Sequence, residues 1–233
     1  ERHTDQLDHN FVATLSHEFN ANHRLVAGLK VRVNRTEYYS TVKDLLGGDY
    51  WLDIDKFAER DKGSDIIAYQ NDVDYYLANG HARVVKEGDK YGYDYYAHVR
   101  NAKLWAIWNY NTGRLEGFVA GEAGYAGQWR EGIYRKSSFE DNSQGASKKL
   151  NFFEYKAKGA LTYKISGANS LTASVAYMQQ APSFQSSFVS PRTRNSVTPN
   201  LTPEKVFSAD LTYDLHVGGF KARVSGYYTT IED

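Results

Sequence analysis

A strict two-residue alternation, sustained over unusually long stretches, constrains this chain more than any other feature. From residue 151 to 166, Phe153, Tyr155, Ala157, Gly159, Leu161, Tyr163 and Ile165 hold one parity, while Glu154, Lys156, Lys158, Thr162 and Lys164 hold the other. A period of two marks a β-strand with chemically different faces. At about 3.3 Å per residue this strand is roughly 50 Å long, against the usual five or six or so residues of a soluble strand. The pattern resumes after a tight turn at Gly167-Ala168-Asn169, where Leu171, Ala173, Val175 and Tyr177 alternate with Thr172, Ser174 and Ala176.

The same unit recurs along the chain. Leu7, Phe11, Ala13, Leu15 and Phe19 face one way and, after the turn Ala21-Asn22-His23, Leu25, Ala27, Leu29, Val31 and Val33 return against Lys30, Arg32 and Asn34. From about residue 40 to 90 the alternation stops in an acidic, aromatic loop with room for local helix. It restarts with Tyr93, Tyr95, Ala97 and Val99, then changes parity near Asn101 to Lys103, so that Ala102, Leu104, Ala106 and Trp108 become the apolar set. A one-residue parity change of this kind predicts a β-bulge. After Asn111-Thr112-Gly113, Leu115, Val119, Ala123, Tyr125 and Trp129 return; 131–150 is polar, and 181–204 holds all four prolines, which excludes a regular ladder there. The last hairpin pairs Phe207 to Leu215 with Phe220 to Tyr228 around Val217-Gly218-Gly219.

Eight strands result, joined alternately by about three residues and by tens of residues. The fold class that fits is all-β: an antiparallel up-and-down transmembrane β-barrel segment of about eight long strands with short turns and long loops. Membrane barrels carry short periplasmic turns at one rim and long extracellular loops at the other. On this reading residues 1–233 form one partial β-barrel domain, with loops 40–90, 131–150 and 181–204 extracellular. The apolar parity meets lipid and the lysine-bearing parity lines a wet lumen; barrel closure keeps unpaired edges out of hydrocarbon. Tyr91, Tyr93, Tyr95, Trp129, Phe152, Phe153 and Tyr155 near the loops, and Trp105, Trp108 and Tyr110 near the turns, would form the aromatic girdles.

Composition bounds function. The 28 basic and 28 acidic residues cancel, so no global field points to nucleic acid as a partner. The chain has no cysteine, which excludes disulfides, a thiolate nucleophile and a cysteine-ligated zinc. No apolar run approaches the eighteen or so residues of a membrane helix, and a mean hydropathy of −0.62 does not speak against a barrel, in which only every second residue need be apolar. The seven histidines show no metal-ligand spacing, and no Ser-His-Asp context or glycine-rich phosphate loop is present. No enzyme activity, metal or cofactor is expected. The chain begins at Glu1, without an initiator methionine or signal peptide, and reads as a processed or excised piece of something larger. Alternation also marks any antiparallel sheet with one solvated face. Two alternatives therefore stand: a soluble all-β module that binds ligand through the 40–90 loop, and a complete small outer-membrane barrel with a structural or adhesive role, whose first and last strands would pair.

Five segments carry a more specific likeness: DLLGGDYWLDIDKFAERD (44–61), VVKEGDKYGYDYYAHV (84–99), FEDNSQGASKKLNFFEYKAKGALTYKI (139–165), APSFQSSFVSPRTRNSVTPNLTPE (181–204) and GYYTTIED (226–233). Together they resemble the barrel of TonB-dependent receptors of the Bacteroidetes outer membrane, above all the large receptors with an N-terminal carboxypeptidase-regulatory-like domain. The similarity covers nearly the whole chain. It implies a 22-stranded barrel closed by a plug, with a TonB box coupling it to the inner-membrane complex for uptake of siderophores, cobalamin, glycans or peptides. The partners it implies are outer-membrane lipid, the remainder of the barrel and plug, the TonB complex and a surface lipoprotein. Plug, TonB box and regulatory domain are not recognisable in these residues, so eight strands would supply about a third of such a barrel.

Two groups of candidate site residues follow. In the acidic loop, Tyr50 and Trp51 could stack on a sugar or aromatic ligand, and Asp53 and Asp55 could bind substrate or calcium, since hard cations prefer clustered carboxylates; a solvated loop with internally packed aromatics accounts for the same residues. On the polar parity, Glu116, Glu122, Glu154, Lys156, Lys158 and Lys164 are lumen-lining candidates that could select charged solutes or contact a plug. Cross-strand pairing in water explains them equally.

Overall fold

Cross-strand register turns the sequence alternation into two faces. The computed structural model describes residues 1–232 and contains β1 (Arg2–Asn20), β2 (His23–Thr41), β3 (Lys90–Asn111), β4 (Leu115–Gly132), β5 (Leu150–Lys164), β6 (Asn169–Gln180), β7 (Glu204–Val217) and β8 (Phe220–Glu232). Each strand pairs antiparallel with the next, in sequence order, giving the all-β, up-and-down sheet that the alternation predicts. Phe11 lies opposite Val31, Val31 opposite Ala102, Ala102 opposite Tyr125 and Tyr125 opposite Phe153, an apolar row across five strands. The adjoining row on the other face reads Val12, Lys30, Lys103, Gly124 and Glu154.

Among the described residues no second layer covers the apolar face. Leu15 is 71 % exposed, Val119 67 %, Leu104 65 % and Val224 70 %. The sheet is also open: among the described residues β1 is paired only with β2 and β8 only with β7. The pairing of first and last strands that a complete eight-stranded barrel requires is not formed.

The expected bulge at Asn101 to Lys103 is absent. Register runs unshifted from Tyr38↔Tyr95 to His23↔Tyr110 on one side of β3, and from Tyr95↔Gly132 to Asn111↔Glu116 on the other. The apolar parity changes because burial changes sides. Ala102, Leu104, Ala106 and Trp108 stand on the exposed face, whereas Tyr95 and Ala97, only 2 % and 3 % exposed, stand on the opposite face beneath the loops. The aromatic girdles are corrected for the same reason. Trp129, Phe153, Tyr155, Trp108 and Tyr110 share the apolar parity, but Phe152 lies opposite buried Ala126, Trp105 opposite Gly28 and Glu122, and Tyr91 and Tyr93 line a cavity under the loops.

The long connections gather at one end and build their own core. Trp51–Leu52 pairs with Val84–Val85 in a miniature hairpin. Helix α1 (Lys56–Lys62) starts where the Asp55 carboxylate accepts from the amides of Phe57 at 3.0 Å and Ala58 at 3.2 Å. Helix α2 (Val73–Asn79) is capped by Asp72 and stopped by Gly80 in a left-handed conformation. A third, single-turn helix, α3 (Phe184–Ser187), lies in the proline-rich loop. Val42, Ile54, Val73, Val85, Tyr134 and Phe188 from these loops are all buried, as are Tyr95 and Ala97 below them.

Candidate functional site

The loop roof is organised around two buried polar centres. In the first, the Asp53 side chain is wholly buried. One of its oxygens accepts from Asn71 Nδ2 at 2.9 Å and from the Gly92 amide at 2.8 Å, and the other pairs with the Arg83 guanidinium. Arg83 also donates to the Tyr134 hydroxyl at 3.2 Å and the Lys90 carbonyl at 2.8 Å, and stacks over the Tyr134 ring. Lys136 completes the centre by donating to Asn71 Oδ1 at 2.8 Å and to the Gly92 carbonyl. Burial pushes the Lys136 ammonium down to about 8, against the pull of Asp53 and Asp55, which favour its charged form. Burial likewise raises the Tyr134 phenol.

The second centre is Arg130, near the loop end of β4 and 2 % exposed. Its guanidinium donates to the carbonyls of Ser143 and Pro191 and to Asn195 Oδ1, while its backbone amide donates to Ser147 Oγ at 2.9 Å. It lies over the Tyr95 ring. One side chain thus ties the 133–149 and 181–203 connections to the sheet. Gly132 makes room for it: a Cβ there would sit 1.9 Å from the Ser143 carbonyl oxygen and 2.4 Å from the guanidinium.

Beside the first centre, at Asn71, Gly92 and Lys136, lies a cavity of about 350 Å³, walled also by Trp51, Phe57, Tyr91, Tyr93, Phe139 and Arg192, so that all three long connections contribute to it. Lys56 sits over the Trp51 ring at 5.5 Å and Arg192 over the Tyr93 ring at 5.2 Å. Aromatic faces with cations beside them suit a planar or ring-shaped ligand bearing an anionic group.

The sequence candidates therefore fall in different places. Tyr50 and Trp51 are 56 % and 45 % exposed, and Trp51 forms part of the cavity wall. Asp53 is sealed inside the loop with both oxygens occupied, and Asp55 caps a helix and borders the cavity. Among the described residues no group of three His, Asp or Glu side chains converges as a metal centre. Arg83, Arg130, Lys136 and Arg192 were not singled out by sequence. Their only advance signal is contextual: Asp53 sits between Leu52 and Ile54, and Arg130 holds the polar parity of β4.

On the polar face the charged candidates form a ladder. Lys103 Nζ lies 2.7 Å from Glu154 and 3.5 Å from Glu122; Lys156 lies 3.7 Å from Glu122, and Lys164 lies 2.8 Å from Glu116. The Lys103–Glu154 contact spans β4 above Gly124, where a Cβ would stand 2.1 Å from the Ala102 carbonyl oxygen and 2.8 Å from Lys103 Cγ. Glu154 also accepts from the Ala181 amide at 2.9 Å, linking the ladder to the roof. Lys158 lies over the Phe118 ring and in no ion pair among the described residues.

No family model matches the chain, and no curated protein matches it by sequence. Among solved structures it is similar to the copper transporter OprC, with a TM-score of 0.66 and 12 % identity over 100 % of this chain and 31 % of that one. The chain thus spans about a third of that transporter's length, and at this identity the likeness is one of fold.

Proposed function

We propose that this chain is the partial β-barrel of a TonB-dependent outer-membrane receptor that imports a nutrient such as a siderophore, glycan or peptide, with its three long loops outside the cell. One observation carries the reading: eight long strands present an apolar face that none of the described residues covers. Hydrocarbon is the environment in which such a face is stable. The unpaired edges of β1 and β8 are tolerable there only against further strands, which the rest of the barrel would supply, and the charged ladder would face its lumen and plug. The fold-level likeness to a transporter supports a transport role in the outer membrane. The Bacteroidetes-type class, the TonB complex and a surface lipoprotein as partners rest on the sequence resemblance. The cavity in the roof is the ligand-collecting surface, through Trp51 and its aromatic neighbours, and the chain carries no catalytic role.

An arginine depth scan tests this. Val175, 50 % exposed on the apolar face, lies in mid-strand, and Tyr155 lies on the same face nearer the loops. Val175→Arg should cost about 2–4 kcal/mol near a bilayer midplane, and Tyr155→Arg distinctly less. Equal penalties, together with recovery of the protein in the soluble fraction without detergent, would replace the barrel by a soluble all-β ligand-binding module.

A further inference from the structure

On the apolar face the residue chemistry changes in bands toward the loops. The row Ala13, Leu29, Leu104, Ala123 and the row Phe11, Val31, Ala102, Tyr125 are apolar. The next two bring Arg100, then Arg35, His98 and Trp129; the row above is acidic, with Asp5, Glu37 and Glu131. Within the cationic band three groups converge on one indole. The Arg100 guanidinium lies 4.9 Å from the Trp129 ring, Lys149 Nζ lies 5.2 Å from it, and His98 stacks on it at 4.6 Å.

The acids nearby do not neutralise this band. Glu131 accepts a hydrogen bond from His98 at 2.9 Å, and Glu37 is paired with Lys90. Arg35, Arg100 and Lys149 are exposed and stand in no ion pair among the described residues. Arg35 rests over Tyr96, so aromatic rings hold all three of these cations without discharging them. Exposed arginine and lysine beside an indole, immediately above a lipid-facing surface, are placed where headgroups begin. We propose that Arg35, Arg100, Lys149 and Trp129 form a docking site for the phosphate-bearing headgroup of an anionic lipid, held against the outer wall of the sheet at its loop end. The charge is complementary, the cations are free, and the Trp129 ring stands at the boundary between acyl chain and phosphate. This inference rests on the membrane reading of the apolar face and adds a lipid chemistry to it.

The test uses the detergent-extracted protein moved into bilayer nanodiscs of phosphatidylcholine containing phosphatidylglycerol. Bromine on the chains of one lipid or the other quenches nearby tryptophan, and Trp129→Phe assigns the Trp129 share of that signal. Phosphatidylglycerol should be enriched at Trp129 over phosphatidylcholine. Arg100→Gln and Lys149→Gln should each reduce the enrichment about fivefold, as expected for one charge near an anionic surface. Lys158→Gln, which removes a cation from the opposite face, should leave it unchanged. Absence of enrichment in a protein that enters the bilayer, or an equal loss in Lys158→Gln, would overturn the headgroup site while leaving the barrel intact. Failure to enter either bilayer would remove both readings.

Discussion

The roof and the sheet below it stabilise themselves in opposite ways. The roof is built like a water-soluble protein: Val73 and Val85 are 1 % and 2 % exposed, and its buried charges are paired or multiply hydrogen-bonded. The sheet places Leu15, Leu104 and Val119 outward and keeps the Lys103–Glu154 and Lys164–Glu116 pairs on the other face. Burial of apolar side chains follows whichever environment is least polar, so one chain shows two opposite arrangements. The difference teaches where the boundary between them runs: across β3 near Arg100, where the apolar parity changes sides without any bulge.

The sharpest way to break this comparison is to remove one partner of the roof's buried pair. Arg83→Met leaves the Asp53 carboxylate buried without its cation, a change that costs about 3–5 kcal/mol. Limited proteolysis should then cut between residues 44 and 89 while the strands stay protected. Cleavage spread over the strands as well would show that roof and sheet are one cooperative unit. A smaller effect is expected within the sheet. Gly124→Val crowds the Ala102 carbonyl and Lys103, and overpacking of this kind costs about 1–3 kcal/mol. Thermal unfolding should register it, with protease sensitivity of the roof unchanged.

Protonation separates the regions further. Lys136 has a folded value of about 8, below the roughly 10.4 of an unfolded lysine, so between these values the unfolded chain binds more protons. Stability of the roof should therefore rise with pH from about 8 to 10 and be lowest below 8, where the buried ammonium is charged in both states. Roof proteolysis measured across that window should slow with pH, and Lys136→Met should abolish the slope. A slope that persists in the variant would assign it to another group. The smallest change belongs to the polar face: Lys164 and Glu116 are 42 % and 53 % exposed, and Lys164→Ala should alter stability by less than about 1 kcal/mol. A larger loss would show that water is excluded from that face.

What sequence reveals differs between the two regions for the same reason. Strands that face two environments write them into alternate residues, so Phe153 to Ile165 and Leu171 to Tyr177 disclosed the sheet, its order and both faces. The roof follows no period. Its residues are set by contacts between distant segments, such as Asp53 with Arg83 and Arg130 with Asn195, and nothing local announces them. The bulge expected at Asn101 to Lys103 shows the limit of the rule itself: parity reports which side is apolar, and a strand long enough to leave one environment for another reverses its parity while its backbone continues straight.

That straight continuation has a mechanical consequence. The upper reaches of β2, β3 and β4 stand above the apolar band as a collar, and the long connections are fastened to that collar through Arg130 and the Gly92 peptide, with one further tie from Glu154 to the Ala181 amide lower down. Substitutions that reshape the aromatic cavity are thereby decoupled from the surface that sets the depth of the sheet. The same sheet can carry different loop chemistries, each built on a platform that already stands clear of the apolar band.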